Sequence, residues 1–387
     1  MKDNTIVTHA GNHPFENHGI VNPPVYHAST VLQPTMEALL NRGSAKVRYG
    51  RRGTPTTFAL EEAVSALEGA HGTVLAPSGL AAIAMTLSAL LETGDHILIT
   101  DSTYAPTRNF ATKILAKLGI EAEYYDPNIG AGIAALIRAN TRLIWTESPG
   151  SQTFEVQDMP AIVGAAHAAD VLVAMDNTWS GGYFYKPLAH GVDISVQAAT
   201  KYIVGHSDVM MGTIACSEAT YERVKEATGY YGLCCGPDDV YLALRNLRTI
   251  GVRMDRHHEN GLRLANWLRD RPEVSQIMHP GLAGDPGHAL WQRDFSGASG
   301  LFGFVLKDDR RAKIAALLDG LELYGMGSSW GGYESLIVPT YPARARSATQ
   351  WDAPGPSLRL HAGLEDADDL IADLEAGLER FAAASGR

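Results

Sequence analysis

From residue 60 to residue 198, short apolar runs alternate with stretches of helical periodicity, and this alternation leaves few architectures open. Leu60, Ala63, Val64 and Leu67 recur at the spacing of an amphipathic helix, and Gly69 stops it. Runs at 73–76, 96–100, 121–125, 142–146, 171–175 and 194–198 read as strands, while 80–91 and 106–118, the latter closed by Gly119, read as helices. Strands that are almost unbroken apolar runs, separated by helices, belong in a mostly parallel sheet covered on both faces. The expected core is therefore α/β. In such sheets ligands bind beyond the carboxyl ends of the strands, so the residues following each run are the candidates for chemistry.

After residue 237 the pattern changes to a helix over 240–270, strands at 274–278, 300–306 and 358–360, and a helix over 310–318. A last helix carries Leu370, Ile371, Leu374, Leu378 and Phe381 on one face. This reads as a second, smaller α/β domain. Prolines 14, 23, 24 and 34 and weak periodicity between 12 and 49 read as an extended arm crossing some other surface. The expected division is an arm at 1–56, a large domain at 57–238 and a C-terminal domain at 239–387.

Composition narrows the function classes. A chain of 387 residues, 45% hydrophobic and 19% charged, is globular. Cys216, Cys234 and Cys235 make no disulfide framework and suit a reducing cytoplasm. With 32 Lys and Arg against 43 Asp and Glu, the net charge of −11 disfavours nucleic acid and anionic lipid as partners. Neither a signal-peptide core nor a stretch of about 20 apolar residues is visible, so a soluble, cytoplasmic protein is expected.

Four strand ends carry polar residues that fit one ligand. The run at 194–198 ends on Thr200-Lys201, followed by Gly205. By itself this is most simply an exposed lysine, but a buried strand-end amine must be neutralised, paired or used covalently, for example as a Schiff base. The run at 171–175 ends on Asp176, alone a helix cap or turn former, yet also a partner for a protonated pyridine nitrogen. Ser78-Gly79-Leu80 follows 73–76 and opens a helix, offering free amides to a phosphate. Tyr104 follows 96–100 and offers a ring for stacking. An amine, a carboxylate, a phosphate cradle and a stacking face are what pyridoxal 5'-phosphate needs.

The segment 193–207 resembles the lysine signature of the pyridoxal-phosphate enzymes of cysteine and methionine metabolism, a fold type I family. The resemblance runs from Tyr49-Gly50-Arg51-Arg52-Gly53-Thr54-Pro55-Thr56 to Leu360-His361-Ala362-Gly363-Leu364-Glu365-Asp366. It implies that Lys201 holds the cofactor aldehyde, Asp176 the pyridinium proton and Tyr104 the ring. Ser78, the Gly79 and Leu80 amides and Thr200 would hold the phosphate, joined by Tyr49 and Arg51 of a neighbouring subunit. A homodimer would then be obligatory, with a homotetramer expected from pairing of dimers. Arg359 would grip the substrate α-carboxylate. Ala198 stands where many members of the family carry a serine that also binds phosphate.

Ser328-Ser329-Trp330-Gly331-Gly332-Tyr333-Glu334-Ser335 and Glu147-Ser148-Pro149-Gly150-Ser151 resemble the members that act at Cβ, which brings Ser329 and Trp330 to the substrate. The implied reaction is α,β-elimination of L-cystathionine in methionine biosynthesis. Elimination or replacement at Cγ, cysteine or cystine desulfhydration, and a non-catalytic binding protein on the same scaffold are the alternatives. Gly325, Gly327 and Gly331 miss dinucleotide-binding spacing, and Cys234-Cys235 lacks metal spacing. His257-His258-Glu259 reads as a solvated helix face, and no metal site is expected.

Overall fold

The computed structural model describes residues 1–41, 45–353 and 355–384; residues 42–44 of the expected arm, residue 354 and residues 385–387 lie outside them. The strands are β1 (Gly72–Ala76), β2 (His96–Thr100), β3 (Glu121–Tyr125), β4 (Thr141–Glu147), β5 (Leu172–Asp176), β6 (Ile194–Gln197) and β7 (Gly212–Cys216) in one sheet. A second sheet holds β8 (Val274–Met278), β9 (Leu301–Leu306), β10 (Leu336–Thr340) and β11 (Ser357–His361). The larger sheet runs β1-β7-β6-β5-β4-β2-β3 and is parallel except at β7, which is antiparallel to both neighbours. The smaller sheet, β10-β11-β9-β8, is antiparallel throughout.

The parallel strands are apolar on both faces because both are covered. Ile97, Ile99, Leu143 and Trp145 pack into one core and Leu98, Ile144, Val173 and Met175 into another, alternate residues taking opposite sides. Each such side chain contributes about 1.5–3 kcal/mol when fully buried. Helix Pro55–Glu68 starts with proline at its first position and the Thr57 hydroxyl accepting from the Thr54 amide at 3.3 Å, and ends on Gly69 in the left-handed region at φ 69°. Helix Gly79–Leu90 follows β1 and is capped by the Ser78 hydroxyl, which accepts from the Ala81 amide at 3.1 Å.

Four expectations need correction. Strands β7 and β10 were absent from the sequence reading. The helix expected over 240–270 is two, Pro237–Leu247 and Ile250–Arg269. Arg248 lies between them, where its guanidinium donates to the carbonyls of Val7 and Ala10. His257 is no solvated residue: it is 0% exposed, because helix Ile250–Arg269 turns Arg253, His257 and Asn260 inward to backbone carbonyls of two loops. The N-terminal stretch is not extended throughout, since Asp3–His9 is a helix whose Val7 packs beside Ala59 and Leu60. Beyond it Phe15, Leu32, Met36 and Leu40 are exposed.

Candidate active site

Strands β2, β4, β5 and β6 are parallel neighbours, so their carboxyl ends lie along one edge of the sheet. Lys201 stands in the turn after β6. That turn is closed by hydrogen bonds from the Lys201 amide to Ala198 O, 2.9 Å, and from the Gly205 amide to Lys201 O, 2.7 Å. Gly205 has φ 68° and a Cβ there would lie 2.0 Å from the Arg253 guanidinium, which ties down the carbonyls of Tyr202 and Ile203. The Lys201 amine donates to Ser329 Oγ and lies 5.4 Å from the centre of the Trp330 ring. Burial and the nearby Arg359 guanidinium, partly offset by Asp176, bring its pKa down to about 8.

Asp176 closes β5 and is buried. Its Oδ1 accepts from the Thr178 amide at 3.0 Å and the Thr178 hydroxyl, and that hydroxyl in turn accepts from the Ala198 amide at 2.9 Å. Burial raises the Asp176 pKa against these bonds and the attraction of Lys201, and a further cation beside it would lower it, favouring the charged form. Sequence reasoning missed the half-buried Glu147 as a site residue, beside Asp176 in the β4–β5 register. Glu147 accepts from the Tyr104 amide at 2.6 Å, and burial followed by the charge of Asp176 raises its pKa well above the usual value. The signal that found Asp176, an acid ending an apolar run, was present in Trp145-Thr146-Glu147. Tyr104 itself is 43% exposed, and burial followed by the charges of Asp176 and Glu147 raises its hydroxyl pKa.

On the other side of β6, Gly79 abuts Ala198: a Cβ on Gly79 would lie 2.5 Å from the Ala198 Cβ. Among the described residues the Gly79 and Leu80 amides find no acceptor, as expected of the first turn of a helix. The Thr200 hydroxyl donates to Met211 O at 3.1 Å and accepts from the Met211 amide at 2.9 Å, so one lone pair is left.

Arg359, on β11, donates to the carbonyls of Ser328 and Ser329 at 3.1 and 3.2 Å through one nitrogen, leaving the rest of its fork for a ligand. It also lines a cavity of about 460 Å³ with Arg108, Asn109, Gln152, Tyr341 and Arg344, whose lining contains no acidic side chain.

Residues 4–379 match the sequence profile of the Cys/Met metabolism PLP-dependent enzymes. A cystathionine β-lyase of Escherichia coli is 45% identical over 390 residues, covering 98% of this chain and 99% of the relative. One from Salmonella typhimurium is 44% identical, covering 97% and 98%. The solved structure of a cystathionine γ-synthase from Xanthomonas oryzae pv. oryzae, in complex with aminoacrylate and cysteine, superposes with a TM-score of 0.91 at 31% identity, covering 99% of each chain. The chain belongs to the Cys/Met metabolism PLP-dependent enzyme family.

The family's cofactor, pyridoxal 5'-phosphate, fits what the residues present. Lys201 supplies an amine of lowered basicity, Asp176 a buried carboxyl whose pKa burial raises, and helix Gly79–Leu90 two free amides. These, with Tyr104, Thr200, Ser329, Trp330 and Arg359, are brought to one edge. Tyr49 and Arg51 are not among them. Arg51 donates to Gly229 O at 2.8 Å and lines a separate cavity of about 900 Å³ with Tyr221, Lys225 and Tyr230, while Tyr49 accepts from Ser29 Oγ at 3.3 Å. No group of three or more His, Cys, Asp or Glu side chains among the described residues could hold a metal ion. No described helix is long and apolar enough to cross a membrane.

Proposed function

We propose that the protein is a carbon–sulfur β-lyase that converts L-cystathionine and water to homocysteine, pyruvate and ammonia. The observation that carries this reading is that a deprotonatable amine and a carboxylate anchor share one support. Lys201 bonds to the Ser329 hydroxyl, and Arg359 to the carbonyls of Ser328 and Ser329. The names of the relatives at 44–45% identity support cleavage at Cβ, and the acid-free cavity beside Arg359 suits an anionic amino-acid substrate.

Arg359 holds the α-carboxylate through the free part of its fork and so orients the Cα–H bond toward Lys201. The Lys201 amine removes the Cα proton and carries it to the departing sulfur of homocysteine. Pyridoxal 5'-phosphate, when bound, supplies the sink for the electron pair left at Cα. Asp176 keeps the proton on the ring nitrogen, and Tyr104, seated by Glu147, flanks the ring. Ser78, Gly79, Leu80 and Thr200 hold the phosphate, with Tyr49 and Arg51 reaching it from a neighbouring copy. The enzyme would act as a homodimer or a pair of dimers in the cytoplasm.

Keto-acid identification tests the reading. Incubation with L-cystathionine yields pyruvate, and Lys201→Ala yields none above background. Formation of 2-oxobutanoate, the product expected of elimination at Cγ, would move the protein to the family's other reaction.

A further inference from the structure

The turn that presents Ser329 and Trp330 to Lys201 contains neither helix nor strand from 326 to 334, so its shape is imposed from outside. The support comes from Arg359 and His361, alternate residues of β11 that share one face of the strand. Arg359 holds the carbonyls of Ser328 and Ser329, ahead of Trp330. His361 holds the other side: its Nε2 accepts from the Gly331 amide at 3.1 Å and its Nδ1 donates to Glu334 O at 3.1 Å. Both partners are backbone groups of fixed polarity, so the ring is neutral and in one tautomer.

The turn has no slack against the lysine. Gly331 has φ 84°, and a Cβ there would lie 2.9 Å from the Lys201 Cβ. His361 is 1% exposed, enclosed by the rings of His257 at 5.1 Å and Tyr202 at 6.0 Å. His257 is itself fixed by donation to Ala362 O at 2.8 Å. Burial first, then the charges facing it from His257, Arg359 and Lys201, hold the His361 pKa well below the ordinary value; only Glu334 O acts the other way.

We propose that His361 is a positioning residue of the reaction: by fixing Gly331 and Glu334 it holds the Ser329 hydroxyl against the Lys201 amine. The assignment rests on the lyase reading for its role in turnover, while its geometric content concerns the lysine alone. Lys201 is faced by Asp176, which raises its pKa, and by Arg359, which lowers it; the Ser329 oxygen accepts from the amine and so favours the charged form.

The test compares His361→Phe, Ser329→Ala and the double variant. In the cofactor-free full chain, the pH dependence of Lys201 acetylation by acetic anhydride, read by mass spectrometry, gives the amine's titration. We expect both single variants to shift it downward by the same amount and the double variant no further. In the holoenzyme, kcat falls about tenfold in either single variant with KM nearly unchanged, and the two losses do not multiply. An unshifted Lys201 titration in His361→Phe, or effects that combine independently with Ser329→Ala, overturns the proposal. If His361→Phe does not fold, His361→Gln is read by the same criteria. A failure of the lyase reading shows separately, as wild-type protein that releases no keto acid.

Discussion

Two carboxyl groups, the buried Asp176 and the half-buried Glu147, end β5 and β4, and both pKa values are raised, that of Glu147 the more strongly. Asp176 has Lys201 near it and two donors from Thr178; Glu147 has the Tyr104 amide, the Thr103 hydroxyl and the repulsion of Asp176. In this account Asp176 is the partner of the ring nitrogen and Glu147 holds Tyr104 in place. Glu147→Gln, which keeps an acceptor for the Tyr104 amide, leaves kcat/KM within a few-fold of wild type. Glu147→Ala leaves that amide unpaired and costs on the order of tenfold in kcat/KM and about 1–3 kcal/mol in stability. Steady-state kinetics and denaturant titration on both variants check this; equal losses would show that the charge, not the acceptor, is what matters.

At the scale of elements, the segment after β10 is moored to the large domain by two carboxylates, Glu155, which pairs with Arg346 at 2.6 Å, and Asp101. Asp101, just past β2, accepts from the amides of Ser347, Ala348 and Thr349 at 2.8–3.1 Å and from the Arg108 guanidinium. Burial raises its pKa, but the Thr349 hydroxyl, the Ser347 amide and Arg108 outweigh burial and hold it below the ordinary value. The clamp therefore contributes fully above about pH 4 and is lost as pH falls through the depressed folded value. Asp101→Asn is expected to destabilise the protein on the order of 3 kcal/mol at pH 7, with the difference from wild type narrowing in acid. Thermal unfolding at pH 7 and pH 3 checks it, and a constant difference would contradict the clamp. A mooring of this kind leaves no local pattern, because its partners are some 246 residues apart. Helix Ile250–Arg269 hides its polar face for a related reason: Arg253, His257 and Asn260 at helical spacing look like a solvated stripe until the loops they hold are in place.

For the molecule as a whole, the sequence and the structure agree where the physics is local and part where it is not. Lys201, Asp176 and Ser78-Gly79-Leu80 were legible because each ends an apolar run, and the parallel order of the strands then brings them together. Strand β7 was not, because no helix separates Gly212-Thr213-Ile214-Ala215-Cys216 from β6, so it breaks the strand–helix alternation, and it joins the sheet against the prevailing direction. Tyr49 and Arg51 lie away from Lys201 in the single chain. If they serve a neighbour's site, co-expressed Lys201→Ala and Arg51→Ala chains regain about a quarter of wild-type activity through hybrids with one intact site. Separate mixtures of the two inactive proteins that never exchange chains set the baseline, and hybrids no better than it would show that Arg51 does not act across the subunit boundary.

The central claim is that the amine at position 201 carries the cofactor. Borohydride reduction of the holoenzyme fixes the cofactor to whichever amine holds it, and peptide mass mapping then finds that amine. The account predicts the added mass on Lys201 alone, in stoichiometric amount. The same mass on another lysine, with Lys201 unmodified, would contradict it.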